Sequence, residues 1–398
     1  MRIIDLERDD RAGGHRFEAR IETAAGDPVP LFFEVSPRVD GLALDRADPF
    51  LLPALMFAME RNEDLEVDAP ISKRLAANLP DIAQLFSTLL AIPRVPRLDL
   101  RTFSEENAQP APGFLTGLSG GVDSFTVLTD YFWDAAPPQG RITHTVFNDV
   151  GAHGRGDDTM FITRKVRVEV IAEEIGLPLI VVRSNIAALT ALNFEHTFTA
   201  RNASVAHLFG SICSEFLHAS GRTFNEIGVR PLRPMAFADP ILLPLFSSDL
   251  VMCQATGTRY RRVDKIARIA NNPLVQRHLD VCAAHNAPHL FEKTRKINCS
   301  QCLKCMPTQL TLEIMGLLED FRQVFDLDIY RARRRNYAVD VLTRPDTYHT
   351  ELIDFAREHG FDLHGIAGLR RYFSPLAIKN RMPAAIKRPL KRLLKIPV

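Results

Sequence analysis

Apolar and polar residues alternate near the amino terminus, in the stretch HRFEARIETAAGDPVPLFFEV (15–35). A period of two is typical of strands, and the Gly-Asp-Pro turn in the middle predicts a β-hairpin. Two later stretches repeat apolar residues at helical spacing: FLLPALMFAMERNEDLEV (50–67) and ISKRLAANLPDIAQLFSTLLA (71–91). We therefore expect residues 1–104 to form a small α+β domain.

The pattern changes after the polar, proline-containing stretch EENAQPAPG (105–113), which we interpret as a linker. Short apolar strands are predicted at FLTGL, RITHTVF, LPLIVV and TFNEIGV, and they alternate with helices predicted at GGVDSFTVLTDYFW, DDTMFITRKVRVEVIAEEIG and NASVAHLFGSICSEFLHASG. Strands that alternate with helices indicate an α/β fold with a doubly wound parallel sheet, here over 114–255. A helical region at 256–325 and a helical, basic tail at 326–398 are predicted to follow.

Composition narrows the class of protein. The chain has 398 residues, of which 46% are apolar and 24% charged, with a net charge of +1. It can bury a large core, and its overall charge favours neither nucleic acid nor membrane. The charged start MRIIDLERDD resembles no signal peptide, and no apolar run approaches 18 residues. We expect a soluble, cytoplasmic protein.

Charge is nevertheless uneven at the carboxyl end. Residues 370–398 contain nine Lys or Arg and neither Asp nor Glu. Such a tail could contact RNA such as tRNA, lie on an anionic membrane surface, or remain in solution.

The stretch LSGGVDS (118–124) lies between a predicted strand and a predicted helix. A turn of small residues there exposes backbone N–H groups at a helix N-terminus, where anions bind. Gly120 and Gly121 allow close approach of a ligand, and Ser119 and Ser124 add hydroxyl donors. The loop lacks the lysine of the Walker motif and the glycine spacing of the dinucleotide fingerprint.

Asp123 is the unusual residue of this loop, because a carboxylate repels polyphosphate. It fits an anion site only if a cation such as Mg²⁺ takes oxygens from both groups. The alternative is an ordinary helix start, in which the two glycines and the serines only form the turn.

The sequence SGGVDS resembles the Ser-Gly-Gly-x-Asp-Ser loop of the PP-loop, or N-type, ATP pyrophosphatases, and the chain is similar to them over about 114–325. The resemblance implies an adenine nucleotide alpha hydrolase-like fold and cleavage of ATP between its α and β phosphates. It implies that Ser119, Gly120, Gly121, Asp123 and Ser124 bind ATP and Mg²⁺, with Asp123 and Ser124 also catalytic.

Further residues follow from the same resemblance. The loop 147–158 would help to enclose the adenosine, with Asn148 and Gly151 as contacts. Arg201, in TARNASVAHLF, resembles the Arg-Asn segment of the 7-cyano-7-deazaguanine synthases and would bind phosphate as a catalytic residue; a surface arginine is the alternative. The loop 147–158 lacks their Tyr-Gly-Gln pattern, which counts against their substrate.

One other set of polar residues has two possible interpretations. Asp239, Ser247, Ser248 and Asp249 interrupt the apolar stretch MAFADPILLPLFSSDLVM, and they are either buried with hydrogen-bond partners or exposed in a pocket. We expect His207 to be a packing residue.

Three cysteines are spaced Cys-x2-Cys-x2-Cys in NCSQCLKC, and Cys282 precedes them by 17 residues. Four thiolates from Cys282, Cys299, Cys302 and Cys305 suit tetrahedral Zn²⁺. His285 or His289 could replace Cys282, and an iron–sulfur cluster is the rival cofactor. The segment with the Cys-x2-Cys-x2-Cys spacing (299–305), which we call the knuckle, is similar to that of the deazaguanine-synthase-like branch. This resemblance places the chain nearest to that branch. Cys213 and Cys253 stand apart and are expected to be buried.

These observations predict an ATP-dependent ligase-type enzyme. It would adenylate a carboxylate or carbonyl oxygen of a small molecule and release pyrophosphate, after which a nitrogen or sulfur nucleophile displaces AMP. A donor protein could supply ammonia or sulfur. A tRNA-modifying PP-loop enzyme is the first alternative, and a non-catalytic ATP-binding module is the second.

Overall fold

The computed structural model describes the chain except for residues 25, 105–109, 135–139, 154–157, 283–295, 345 and 369–398, and the side chain of Asp27. The chain divides into two compact units, Met1–Tyr260 and Arg261–Val398, and each is described by itself. The basic tail and the alternative metal ligands His285 and His289 lie outside the described residues.

Ten strands of the first unit form one mixed sheet in the order β10-β9-β6-β7-β8-β3-β2-β1-β4-β5. The strands are β1 (Arg2–Arg11), β2 (Gly14–Thr23), β3 (Gly26–Ser36), β4 (Leu65–Val67), β5 (Leu98–Leu100), β6 (Gly113–Gly117), β7 (His144–Asp149), β8 (Leu179–Ser184), β9 (Cys213–Ala219) and β10 (Met252–Thr256). The pairs β1–β2, β2–β3 and β3–β8 are antiparallel, and every other neighbouring pair is parallel.

The predicted hairpin is confirmed as β2 and β3, and its alternating residues explain why. Phe17, Ala19 and Ile21 of β2 are buried and lie on one face with Phe33 of β3, whose ring packs 5.6 Å from that of Phe50. Burial of each large apolar side chain contributes about 1.5–3 kcal/mol.

The helices of this unit are α1 (Asp48–Arg61), α2 (Lys73–Leu89), α3 (Val122–Leu128), α4 (Thr159–Ile175), α5 (Ile186–Leu189), α6 (Phe198–His207) and α7 (Asp239–Leu245). Helix α3 continues into a π-helical turn at Thr129–Trp133. Helices α1, α2, α6 and α7 contact one another and form one layer. Helix α4 ends as predicted at Gly176, which adopts the left-handed conformation with φ 70°.

The strands of the first 104 residues extend the sheet that contains the predicted nucleotide-binding strands. Four residue pairs, from Phe33–Ser184 to Ser36–Val181, join β3 to β8. The side chain of Asn185 adds two hydrogen bonds to the backbone of β3: it accepts from the Phe32 N–H at 3.0 Å and donates to the Pro30 carbonyl at 2.7 Å.

Two predictions in the middle of the chain are wrong. The helix predicted over 202–221 ends at His207 and is followed by strand β9, while the strand predicted over 223–229 is a 3-10 turn at Phe224–Glu226. Strand β9 lies between β6 and β10, and Phe216 and Leu217 are both buried. A strand covered on both faces has a continuous apolar sequence, which periodicity cannot separate from a buried helix.

The second unit is helical. Its helices are α8 (Arg262–Ile269), α9 (Pro273–His278), α10 (Cys305–Ile314), α11 (Leu327–Thr343), α12 (Thr347–Glu358) and α13 (Leu363–Ala367). Helices α8 and α10 to α13 share a core that includes Val263, Leu310, Val341, Leu352 and Phe355. Across all the residues that the structure describes, no helix combines the length and the apolar character needed to cross a membrane.

Candidate functional site

The strand order changes direction at β6. The chain moves from β6 through β7 to β8 on one side, and then returns to place β9 and β10 on the other. Strands β6 and β9 are parallel neighbours whose connections lead in opposite directions. In open α/β sheets, the crevice at the carboxyl ends of two such strands is the usual ligand site. The turn 118–121 begins there, directly after β6.

Small side chains and the backbone shape this turn. Gly120 adopts a φ of 72°, which favours glycine, and Gly121 is extended before α3. The Gly121 N–H donates to Ser119 Oγ at 3.3 Å, and Ser124 Oγ donates to the Gly121 carbonyl at 3.1 Å. The two serine hydroxyls lie 3.4 Å apart. Ser119 is exposed, whereas Ser124 is buried beneath the turn.

Asp123 lies half-buried in the first turn of α3. Its negative charge reaches His218 of β9 and favours the protonated ring, but burial of the imidazole dominates and lowers the pKa of His218 to about 4. The carboxylate of the turn and this histidine therefore belong to one electrostatic environment.

The other predicted residues of the nucleotide site lie in three places: Asn148 is in β7, Gly151 is in the loop after β7, and Arg201 is in α6. Asn148 donates to Asn202 Oδ1 at 2.7 Å, which links β7 to α6. Gly151 has a φ of 112°, and a Cβ built on it would lie only 2.6 Å from Nη1 of Arg201. Gly151 and Arg201 are thus direct neighbours, and they lie at the same edge of the sheet as the turn after β6.

Arg201 is buried, with 2% of its surface exposed. Its guanidinium donates to the Val150 carbonyl at 2.8 Å and the Leu192 carbonyl at 3.4 Å, and it lies 5.6 Å from the ring of Phe194. This side chain therefore joins the loop after β7 to the loop after β8. It is not the surface arginine that the alternative interpretation predicted.

The polar residues of 235–252 are mostly buried and hydrogen-bonded. Ser247 Oγ accepts from the Cys253 N–H at 2.9 Å, and Ser248 Oγ accepts from the Val251 N–H at 3.0 Å. Asp249 accepts from the N–H groups of Lys73 and Arg74 at 2.8 and 3.1 Å and so caps α2. The apolar stretch that carries these residues contains helix α7.

The predictions of burial for three isolated residues are confirmed. His207, Cys213 and Cys253 are all buried. Burial lowers the pKa of His207 to about 4 and raises the pKa of Cys213 to about 12. Neither cysteine therefore carries a thiolate at neutral pH.

The second unit brings the four predicted ligand cysteines together. The Sγ atoms of Cys282, Cys299, Cys302 and Cys305 all lie within 4.8 Å of one another. Measured pairs are Cys282–Cys302 and Cys299–Cys305, both at 3.9 Å, and Cys302–Cys305 at 3.4 Å. This arrangement is consistent with a bound metal ion such as zinc. The neighbouring cysteine side chains lower the pKa of Cys299 and raise the pKa of Cys282 and Cys305, so a metal ion would have to displace protons from the cluster when it binds.

Buried polar residues around the cysteines hold the knuckle in shape. Asn298 donates to the carbonyls of Leu279 and Val324 at 2.7 and 3.1 Å, and it accepts from the Val281 N–H at 2.8 Å. The segment before Cys282 is thereby tied to the segment before Cys299.

Gln309 of α10 completes this support, since its amide donates to the carbonyls of Ser300 and Cys305, both at 3.0 Å. Ser300 itself has a φ of 61° and turns the chain between two ligands. Sequence reasoning missed Asn298 and Gln309. Their adjacency to the knuckle, Asn298 directly before Cys299 and Gln309 one helical turn after Cys305, is the signal that was present.

The sequence reasoning also missed His218, because β9 was interpreted as a helix. His218 directly follows the buried apolar pair Phe216 and Leu217, and Ser220 and Gly221 come shortly after it, an order that is compatible with the end of a buried strand. Comparisons with known proteins found no matching family model, no matching curated protein and no matching solved structure.

Proposed function

We propose that this protein is an ATP-dependent ligase-type enzyme of the PP-loop kind, which adenylates a carboxylate or carbonyl oxygen of a small molecule and releases pyrophosphate. The observation that carries the proposal is the position of the SGGVDS turn: it follows β6 directly, where the strand order reverses. The order β8-β7-β6-β9-β10, with helices in the connections, supports a doubly wound sheet of the adenine nucleotide alpha hydrolase-like type.

In this proposal the backbone of 119–122 holds the two outer phosphates of ATP. The left-handed Gly120 next to the start of α3 supports that role, because successive N–H groups in such a turn form a concave anion site. Asp123 is the residue that would hold Mg²⁺ together with phosphate oxygens. The backbone N–H groups of 119–122 and the Mg²⁺ ion would then bind the pyrophosphate that leaves, so the site needs no lysine.

Arg201 takes a supporting role in the proposal. A guanidinium that is 2% exposed and already donates to two carbonyls would have to give up those bonds to reach a phosphate. We propose instead that it keeps Gly151 and Asn148, the predicted adenosine contacts, in place.

For the second unit we propose that the cysteine cluster holds a structural Zn²⁺. Four sulfur atoms placed tetrahedrally 2.3 Å from one ion lie about 3.8 Å apart. Three of the Sγ pairs are 3.4 to 3.9 Å apart, and all of the pairs lie within 4.8 Å. An iron–sulfur cluster binds its cysteines through separate iron atoms and so holds their sulfurs farther apart. The close spacing supports zinc over the cluster.

The test uses MgATP and fractions of a cell metabolite extract. We expect the Asp123→Asn, Ser124→Ala double variant to bind MgATP about 100-fold more weakly, which corresponds to about 2.7 kcal/mol. A matched double variant on helix α2, Asp81→Asn with Ser87→Ala, is expected to bind like the wild type. At least one extract fraction should let the wild type form AMP and pyrophosphate.

Unchanged MgATP affinity in the folded Asp123→Asn, Ser124→Ala variant would contradict the proposal. If MgATP binds at this turn but every fraction fails to yield AMP and pyrophosphate, the non-catalytic ATP-binding module becomes the better account. If the active fraction loses its effect after ribonuclease treatment, the acceptor is an RNA, and the tRNA-modifying alternative replaces the small-molecule ligase.

A further inference from the structure

A buried histidine lies beside the phosphate turn, at the point where the strand order reverses. His218 is the next-to-last residue of β9, and the pairing of Thr116 with Leu217 places it beside Gly117, the last residue of β6. Only 7% of its surface is exposed. Its ring packs between Phe198 and Phe216, at 6.0 and 5.8 Å between ring centroids.

A buried carboxylate faces this imidazole. Asp239, the first residue of α7, is 0% exposed. Its Oδ1 accepts a hydrogen bond from Thr199 at 2.7 Å, and its Oδ2 lies 3.7 Å from Nε2 of His218. Within the described part of the chain, Nε2 of His218 makes no hydrogen bond.

This arrangement is energetically unfavourable for the folded state, which suggests a functional role. Burial of a polar ring nitrogen without a hydrogen bond is unfavourable, and each such case in a folded protein calls for an explanation. A carboxylate that stands slightly beyond hydrogen-bond distance from a histidine is typical of catalytic pairs before the substrate is bound. Thr199 fixes the carboxylate, the carboxylate faces the imidazole, and the imidazole borders the turn.

We infer that His218 is the base that accepts a proton from a nitrogen nucleophile, and that Asp239 is a positioning residue that orients its ring; this inference rests on the function proposed above. Ammonia or a primary amine attacks the carbonyl carbon of the adenylated substrate, and a C–N bond forms. The C–O bond to AMP breaks, and AMP leaves with the electron pair. The proton released from nitrogen passes to the ring nitrogen of His218 that does not face Asp239.

The state of the ring suits this role. Burial keeps the pKa of His218 near 4, so the imidazole is uncharged at neutral pH and has a lone pair to offer. After proton transfer, the imidazolium would lie next to the Asp239 carboxylate, which stabilises a positive charge.

A base at this position favours a nitrogen nucleophile over a sulfur nucleophile. A thiolate or hydrosulfide nucleophile is already an anion and needs no base, whereas ammonia or an amine must lose a proton. The two cysteines of the first unit are poor sulfur carriers as well, since burial raises the pKa of both Cys213 and Cys253. A base without a thiolate beside it therefore favours formation of a C–N bond.

The experiment separates the two half-reactions with the full chain, MgATP and the extract fraction that supports AMP formation. Exchange of labelled pyrophosphate into ATP reports adenylation, and AMP formation that depends on added ammonium chloride reports the transfer. We expect His218→Gln to lower the transfer rate about 100-fold and to leave exchange within about threefold of the wild type. Asp239→Asn should lower transfer by about tenfold, and added imidazole should partly restore transfer in His218→Ala.

His144→Gln is the matched control, because His144 is a half-buried histidine at the start of β7, which β6 separates from β9, and it has a hydrogen bond to Thr143; both rates of this variant should stay unchanged. Equal loss of exchange and transfer in His218→Gln, or no loss of either, would overturn the inference. Turnover with sulfide but not with ammonium would overturn it as well. A wild-type protein that shows no exchange with any fraction defeats the proposed function itself, which is a distinct outcome.

Discussion

The turn after β6 and the four-cysteine cluster are both candidate ligand sites, but they are made from different parts of the chain. The turn uses backbone N–H groups and residues with small side chains, and the side-chain hydrogen bonds within it join Ser119, Gly121 and Ser124. The cluster uses four side chains whose sulfur atoms meet within 4.8 Å. Convergent side chains identify the kind of ligand by their own geometry. A backbone site is recognised from its place in the sheet.

The surroundings of the two sites differ in the same way. The knuckle is held by the buried amides of Asn298 and Gln309, which bond to carbonyls on both sides of the ligands. The turn is held mainly by the strand before it and the helix after it. We therefore expect damage to the cluster to affect folding first, and damage to the turn to affect binding first.

The largest expected effect concerns the metal. Because binding of structural zinc is coupled to folding, removal of the ion should cost the second unit on the order of 10 kcal/mol. Cys299→Ser is expected to abolish stoichiometric metal binding and the cooperative thermal transition of this unit, as measured by elemental analysis and circular dichroism.

Cys253→Ala is the control for this experiment, since Cys253 is equally buried but lies in β10; it should retain one ion per chain. A Cys299→Ser protein that keeps its ion would show that the four thiolates do not form the site. A visible absorption band from the purified protein would favour iron and sulfur instead of colourless zinc.

The next largest expected effect concerns acid, which should destabilise the two units through different residues. Native His207 has a pKa of about 4, below the value of 6.5 of an unperturbed histidine. Between these two pH values the unfolded chain binds a proton at His207 and the native state does not. The contribution of His207 to the free energy of unfolding is therefore fully present above pH 6.5 and decreases by about 3 kcal/mol as the pH falls toward 4.

We expect His207→Leu to reduce the fall in the unfolding free energy of the first unit between pH 7 and pH 4.5, measured by urea denaturation. The second unit should respond to acid through protonation of its thiolates and loss of the metal, and so should be unaffected by this substitution. Parallel stability curves for His207→Leu and wild type would contradict the assignment.

The smallest expected effect on stability comes from replacement of a left-handed glycine, and two such glycines provide a matched pair for a binding experiment. Gly120 and Gly176 have nearly the same left-handed backbone, with φ of 72° and 70°. Replacement of either by alanine should cost about 1–2 kcal/mol of stability, because a Cβ is unfavourable in this conformation.

Only Gly120→Ala should also weaken binding of MgATP, by about tenfold or about 1.4 kcal/mol, since Gly176 only ends helix α4. Calorimetric titration of both variants tests this difference. Equal MgATP affinity for the two proteins would mean that the turn after β6 is only a helix start.

The sequence predicted those features that depend on neighbouring residues. The hairpin of β2 and β3 has clear alternation of apolar and polar residues around its turn. The strand before SGGVDS and the helix after it have short, distinct patterns. The close spacing of three cysteines indicates that they bind one ligand. Cys282 was also assigned correctly to the cluster, because a tetrahedral site needs a fourth donor and few cysteines were available.

Features that depend on distant contacts were not predicted. Strand β9 was mistaken for a helix, since only its position between β6 and β10 distinguishes the two, and His218 was overlooked with it. The pairing of β3 with β8 joins residues that are about 150 positions apart, and no local pattern encodes such a partner. Asp239 was noticed as polar, but its position opposite an imidazole comes from the packing of α7 against the sheet.

The antiparallel seam between β3 and β8 has a practical consequence for anyone who wishes to shorten this protein. A fragment that starts near residue 110 would strip the neighbour from β8 and leave its row of amide and carbonyl groups uncovered. Bare edges of this kind recruit other chains and lead to aggregates. A fragment made to test MgATP binding should therefore retain β1–β3, even though these strands lie beyond β8 and away from the turn after β6.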